Sequence, residues 1–180
     1  MTLATELCHR GPVLIRPRTD DDREVLVALA LEIHQGDRYP IFLPDDLWSF
    51  LSHPSALARW VAESEGRIVG HVALHGSSMP SVVALASESL GVPPERLGVV
   101  ARLMVSPDAR RMGIGQTLLE LATQEALDRG LSPVLDVVTD HTAGIAMYER
   151  AGWIKAGVVT SELSAGKSFD EIVYLAPSGL

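Results

Sequence analysis

The spacing of apolar residues along the chain changes several times, and each change marks an element. Leu14 and Ile15, stopped by Pro17, read as a short strand. Thr19-Asp20-Asp21-Asp22 then supplies short acceptors and negative charge of the kind that starts a helix. Val25, Leu26, Leu29 and Ile33 follow at helical spacing, and an aromatic-bearing loop over 37–44 ends the run. A shorter helix is predicted over 45–53, carrying Leu47, Trp48 and Leu51. Residues 57–63 and 67–74 alternate as strands around the polar turn Ser64-Glu65-Gly66, which predicts an antiparallel hairpin. Between 77 and 98 the pattern is ambiguous, with one or two helical turns over 82–89 and a loop at Gly91-Val92-Pro93-Pro94. Residues 97–105 form a buried strand whose polarity is broken only by Arg102. A clear helix over 114–129 carries Ile114, Leu118, Leu121 and Ala122 on one stripe and stops at Gly130. A buried strand at 134–138, a helix at 143–151 ended by Gly152, and strands at 154–159 and 172–175 complete the order. Such an order predicts an α/β fold around a mixed sheet.

The composition narrows the class. At 180 residues the chain suits a single domain, 1–180, with 1–11 as a flexible N-terminal extension. Hydrophobic residues at 47% suffice for a core, and no apolar run reaches the roughly 20 residues a membrane span needs. The opening residues carry no apolar stretch suited to a secretory signal. Cys8 is the only cysteine, so no internal disulfide is available and a cytoplasmic location is expected. The net charge of −8 argues against nucleic acid or an anionic membrane as partner and agrees with a cationic substrate.

The most informative stretch runs from Met104 to Gly115, out of a buried strand, through Ser106-Pro107, and into a helix. The first amides of a helix lack internal partners and lie at the positive end of its dipole, which suits them to phosphate. Gly113 and Gly115 remove side chains where a ligand must approach, while Arg110 and Arg111 add positive charge. A nucleotide P-loop would need Gly-x-x-x-x-Gly-Lys, but Gln116 follows Gly115. A dinucleotide fingerprint would need glycine where Leu118 stands.

The run Arg110-Arg111-Met112-Gly113-Ile114-Gly115 resembles the Gln/Arg-x-x-Gly-x-Gly/Ala motif of the GNAT (GCN5-related) N-acetyltransferase superfamily. Ala146-Met147-Tyr148-Glu149-Arg150-Ala151-Gly152-Trp153 resembles that family's distal Ala-x-x-Leu-Tyr-Glu-Lys-x-Gly-Phe pattern, in the right order. The resemblance implies a GNAT fold, a mixed and mostly antiparallel twisted sheet flanked by helices. It further implies transfer of acetyl from acetyl-CoA to a primary amine in a ternary complex, with no metal. Cofactor contacts would fall on Leu103, Met104 and Val105 at the strand and on the backbone from Arg110 to Gln116, with further contacts from His141, Gly144 and Tyr148. Tyr148 would protonate the leaving thiolate, and the Met104 amide would face the thioester oxygen. Relatives often pair, so a homodimer is expected. A non-catalytic acyl-CoA-binding module is the alternative.

Two departures stand out. The family often has Asn where His141 stands and a small Ala where Gly144 stands. The strand also lacks an obvious base. In strict alternation Val99, Ala101 and Leu103 share one face, and Val100, Arg102 and Met104 the other. Neither offers a base, since arginine stays protonated. Glu95, at the strand's entrance, and Glu88 before it remain possible bases. So do His71 and His75, four apart on one strand face, each of which has a bland reading as a surface histidine. A water chain with no dedicated base is the other alternative. The acceptor site is expected around Asp37, Tyr39 and Phe42, with 77–98 as a possible lid.

Overall fold

The computed structural model describes residues 12–163 and 166–177; the expected extension at 1–11, including Cys8, lies outside the described residues. Among the described residues seven strands form one sheet. They are β1 (Val13–Pro17), β2 (Ala56–Ser64), β3 (Arg67–His75), β4 (Leu97–Val105), β5 (Ser132–Val138), β6 (Ile154–Leu163) and β7 (Lys167–Leu175). Their order is β1-β2-β3-β4-β5-β7-β6, antiparallel throughout except for the parallel β4–β5 pair. The helices are α1 (Arg23–Asp37), α2 (Leu47–Leu51), α3 (Pro80–Leu90), α4 (Ile114–Asp128) and α5 (Thr142–Arg150).

Adjacent strand residues divide between two layers, as the pleat requires. Ala62, Val100, Leu135 and Ile172 pack with α4 and α5, around Ile114, Leu118, Ala122 and Tyr148. Their chain neighbours face the other way. Val61 meets α1 and α2, and Val99, Val134 and Val173 meet α3. The stripe on α4 runs through Ile114, Leu118, Leu119, Ala122 and Ala126, with Leu121 only half-buried at its margin.

Several expected bounds shift for local reasons. The ambiguous segment after β3 is an eleven-residue helix, α3, with Pro80 at its first turn and Gly91 left-handed at its end. The helix expected over 45–53 shortens to α2, because Asp46 caps it, accepting from the Ser49 amide at 3.1 Å. Strands β6 and β7 run longer than the apolar pattern shows, since β6 is an outer strand with largely exposed residues. At the start of α1, Asp22 accepts from the Thr19 amide at 2.8 Å and from Arg16 at 2.8 and 2.9 Å. Arg16 holds the Asp22 carboxyl down to about 2.

Strict alternation on β4 fails. Val100, Leu103 and Val105 pack on the α4 side, whereas Met104 packs on the α1 side. Leu103 therefore shares a face with Val100 and not with Val99. The cause is a bulge: Met104 pairs with His71, but Ala101 pairs with Ala73, so β4 spends three steps where β3 spends two. Arg102, at the bulge, has φ 55.

Candidate active site

Strands β4 and β5 pair only from Leu97↔Ser132 to Val100↔Leu135. Beyond that point β4 continues to Val105 with β3 on one side only, so its other edge lies open toward β5. An open strand edge of this kind can hold an extended ligand arm by its backbone. Leu103, Met104 and Val105 lie on this stretch.

At the end of β4 a short turn (Pro107–Ala109) leads to α4. Arg111 and Gly113 both have left-handed backbones, with φ 63 and 79. The first amide of the helix to reach a backbone carbonyl is that of Thr117, donating to Gly113 at 3.0 Å. Among the described residues the amides of Ile114, Gly115 and Gln116 find no such acceptor, and these are the orphan donors that suit an anion. A side chain at Gly113 would meet nothing within 4 Å, so the space before the helix is open. One at Gly115 would lie 3.1 Å from the Met147 sulfur, so this glycine also lets α4 approach α5. These features fit the diphosphate and pantetheine arm of coenzyme A. Arg110, placed by sequence beside the phosphates, forms an ion pair with Asp37, placed by sequence at the acceptor.

The two departures from the motif are one packing unit. A Cβ on Gly144 would stand 2.5 Å from the His141 Nδ1, so the ring lies over the first turn of α5 where an alanine methyl would be. That ring also stacks on Tyr39, with centroids 6.3 Å apart. Tyr39 in turn meets Phe50 edge-on at 6.3 Å. Phe42 lies apart from this group, against Phe169 and Lys167.

Tyr148 is 8% exposed, wedged against Trp153 and Tyr174. Helix α5 is tied to the sheet by the Tyr174 hydroxyl, which donates to Glu149 at 3.0 Å. Burial raises the Tyr148 pKa, with Tyr39 and Asp136 adding to the effect, so its hydroxyl belongs to the electrostatic neighbourhood of both.

His71 and His75 share one face, but that face is interior. They are 0% and 4% exposed, which overturns their reading as surface residues. The His71 Nδ1–H donates to the Arg102 carbonyl at 2.9 Å, so it braces the β4 bulge and leaves its lone pair on Nε2. Among the described residues neither His71 Nε2 nor His75 Nε2 has a partner. Burial pulls their pKa values down to about 4 and about 3. His75 stacks on His53 at 5.7 Å. Glu95 is exposed in the turn before β4, at the end remote from the Met104 backbone; Glu88 lies in α3.

Sequence reasoning missed two acids. Asp136 is the first β5 residue past the last β4 pair. Glu171, only 5% exposed, stands on β7 two residues from Val173, the partner of Asp136. Burial and the neighbouring Asp136 push the Glu171 carboxyl up to about 8. The available signal was an acid inside the apolar run Val134-Leu135-Asp136-Val137-Val138. Among the described residues no group of three or more His, Cys, Asp or Glu side chains is placed to hold a metal ion.

A sheet opened between two parallel strands, with orphan helix amides at the mouth, suits an extended ligand arm that ends in an anionic group. The chain belongs to the acetyltransferase (GNAT) family, whose model matches residues 26–153. It is similar to the mycothiol acetyltransferase of Cellulomonas flavigena, 32% identical over 102 residues that make up 54% of this chain and 27% of that protein. The mycothiol acetyltransferase of Geodermatophilus obscurus is 36% identical over 69 residues, 38% of this chain and 22% of that protein. The chain thus spans about a quarter of the length of the curated relatives it matches. In structure it is similar to the ribosomal-protein-S18-alanine N-acetyltransferase of Escherichia coli, with TM-score 0.65, 20% identity, and 94% and 96% of the two chains covered. The ribosomal-protein-alanine N-acetyltransferase of Brucella melitensis gives 0.65 and 22%, over 90% and 98%. At such identities the likeness establishes the fold.

Proposed function

We propose that this protein transfers acetyl from acetyl-CoA to a primary amine by direct attack within a ternary complex. The observation that carries this reading is the open β4 edge leading to the orphan amides of α4. In this reading Leu103 and Val105 hold the pantetheine arm through the open edge of their backbone, and the orphan amides over 114–116 hold the diphosphate. The Ser106 amide donates to the Val69 carbonyl of β3, so the Met104 amide two residues earlier also turns to β3. The open-edge amides are those of Leu103 and Val105, and one of them, not Met104, faces the thioester oxygen, where a donor stabilises developing charge. Tyr148 gives its proton to the departing sulfur; a buried hydroxyl of raised pKa keeps that proton until the thiolate needs it. Bond making needs no covalent enzyme intermediate, because holding both reactants together supplies much of the rate.

The aromatic group around Tyr39 forms the acceptor wall, and Asp37 restrains the loop through Arg110. We place the reaction in the cytoplasm, on the single cysteine of the sequence. Pairing of copies is supported by Ile154 and Val158, apolar and about half exposed on the outer strand β6.

The test is thiol release from acetyl-CoA with a panel of primary amines, for wild type and Tyr148→Phe. Turnover by the wild type, reduced about 100-fold in kcat by the substitution with little change in KM, is the expected result. Binding of acetyl-CoA without turnover of any amine would instead assign a non-catalytic acyl-CoA-binding role.

A further inference from the structure

Asp136 and Glu171 occupy a position that acetyl transfer can use directly. Asp136 begins the stretch of β5 that has separated from β4. In the antiparallel β5–β7 pair, Asp136 lies opposite Val173 and Val138 opposite Glu171, so the two acids are diagonal neighbours on one face. That face is the one Val134 and Val173 present to α3. The two carboxyl groups lie within hydrogen-bonding reach of each other.

Their other partners are hydroxyls. Ser78 donates to Asp136 Oδ1 at 2.9 Å, and Ser161 donates to Glu171 Oε2 at 2.5 Å. Ser81 meets the Ser161 hydroxyl at 2.9 Å. Among the described residues neither acid has a basic group in ion-pair contact. Arg102 is the nearest influence from β4, but its Nε donates to the Phe50 carbonyl at 3.2 Å and its guanidinium lies 3.6 Å over the Phe50 ring. A buried carboxylate pair costs stability unless a proton or a bound cation meets it.

A second observation points the same way. The Tyr148 side chain is 8% exposed, makes no hydrogen bond among the described residues, and feels Tyr39 and Asp136 as its charged or ionisable neighbours. The hydroxyl that would protonate sulfur thus lies within the electrostatic reach of Asp136, from the α5 side of the sheet.

We propose that Asp136 and Glu171 form the seat for the acceptor's primary ammonium group, and that Glu171 takes its proton. The proposal rests on the acetyl-transfer reading given above. The groups facing Glu171 are Asp136 from β5, Arg102 from β4, Ser161 from β6 and Tyr39 from the loop after α1. Glu171, raised to about 8 by burial and by Asp136, carries a proton at neutral pH. An entering ammonium favours the ionised Glu171 carboxylate and displaces that proton to solvent. Glu171 then accepts one proton from the ammonium nitrogen, leaving a neutral amine. Its lone pair forms the C–N bond as the C–S bond breaks. The Tyr148 proton passes to sulfur, and the second proton shed by nitrogen restores the Tyr148 hydroxyl. The balance is one ammonium and one thioester giving one amide, one thiol and one proton, which leaves by way of Glu171. A carboxyl near 8 matches this task better than the buried imidazoles of His71 and His75, at about 4 and 3.

The experiment uses n-butylammonium as a minimal probe, with thiol release measured across pH for wild type, Asp136→Asn and Glu171→Gln. Both substitutions keep an acceptor for the serine hydroxyls. Melting with and without acetyl-CoA is recorded for each protein. The expected result is a fall in kcat/KM of about 100-fold in either variant, with the acetyl-CoA melting rise intact. In the wild type kcat/KM climbs to a limb near pH 8 that Glu171→Gln lacks. Either variant within a few-fold of wild type would overturn the seat. So would a wild type that gains stability from acetyl-CoA yet leaves n-butylammonium untouched. Absence of any acetyl-CoA effect on melting would instead remove the acetyl-transfer reading beneath it.

Discussion

From Met104 to Gly115 one unbroken run of chain builds the mouth of the cleft, and it does so with backbone: an open strand edge, two left-handed residues and the first amides of α4. The cluster of side chains at the splay of β4 and β5 is built the other way. Tyr39, Arg102, Asp136, Tyr148 and Glu171 come from five separate stretches, and each contributes a side chain. Backbone donors impose few demands on residue type beyond glycine where φ is positive. A cluster of side chains depends on every member being placed by its own element. The first end is thus suited to a constant ligand and the second to one that differs between relatives.

The sharpest way to break this division is Gly113→Asp. The position has φ 79 and open space before it, so the chain can fold around the new side chain at a cost in strain. A carboxylate there opposes the diphosphate, and acetyl-CoA affinity is expected to fall roughly 100-fold or more. Melting in the absence of ligand checks that the variant is folded.

A smaller effect is expected at His71, which touches neither proposed ligand but braces the bulge of β4. His71→Leu removes the donor to the Arg102 carbonyl. The buried carbonyl then lacks its partner, at about 1–3 kcal/mol of stability. With the bulge and the open edge of β4 no longer held in place, kcat is expected to fall about tenfold while the KM of the amine is unchanged. A raised KM with kcat intact would place His71 in acceptor binding instead.

A third effect is on stability against pH. Glu171 is raised from 4.5 to about 8 in the folded chain, so the folded state binds its proton more tightly than the unfolded state. Its contribution is fully present below about 4.5 and is lost as pH rises to about 8. The melting temperature of wild type is expected to decline across that window relative to Glu171→Gln. Parallel curves would contradict the burial of this carboxyl.

The same division decides what was legible in the sequence. The strand–loop–helix run and the tyrosine helix are contiguous, and their glycines and apolar spacing appear directly in the order of residues. The bulge at Arg102 does not, because an extra strand residue leaves no mark in composition and reverses the faces beyond it. His71 and His75 read as surface residues because histidine becomes interior only through neighbours such as the Arg102 carbonyl and the His53 ring. Asp136 and Glu171 meet only after β7 pairs with β5, a contact between segments far apart in the chain. Arg110 and Asp37 had been given separate tasks, and their ion pair is likewise a tertiary fact.

The most direct test is the melting temperature of the purified protein with saturating acetyl-CoA, beside ATP and NAD. Ligand at about 100 times its dissociation constant contributes about 2.7 kcal/mol, a rise of roughly 5–11 °C for a chain of this size. That rise with acetyl-CoA alone, absent in Gly113→Asp, is the predicted result. No rise with saturating acetyl-CoA would contradict the account, and the mouth of the cleft would be only a turn between a strand and a helix.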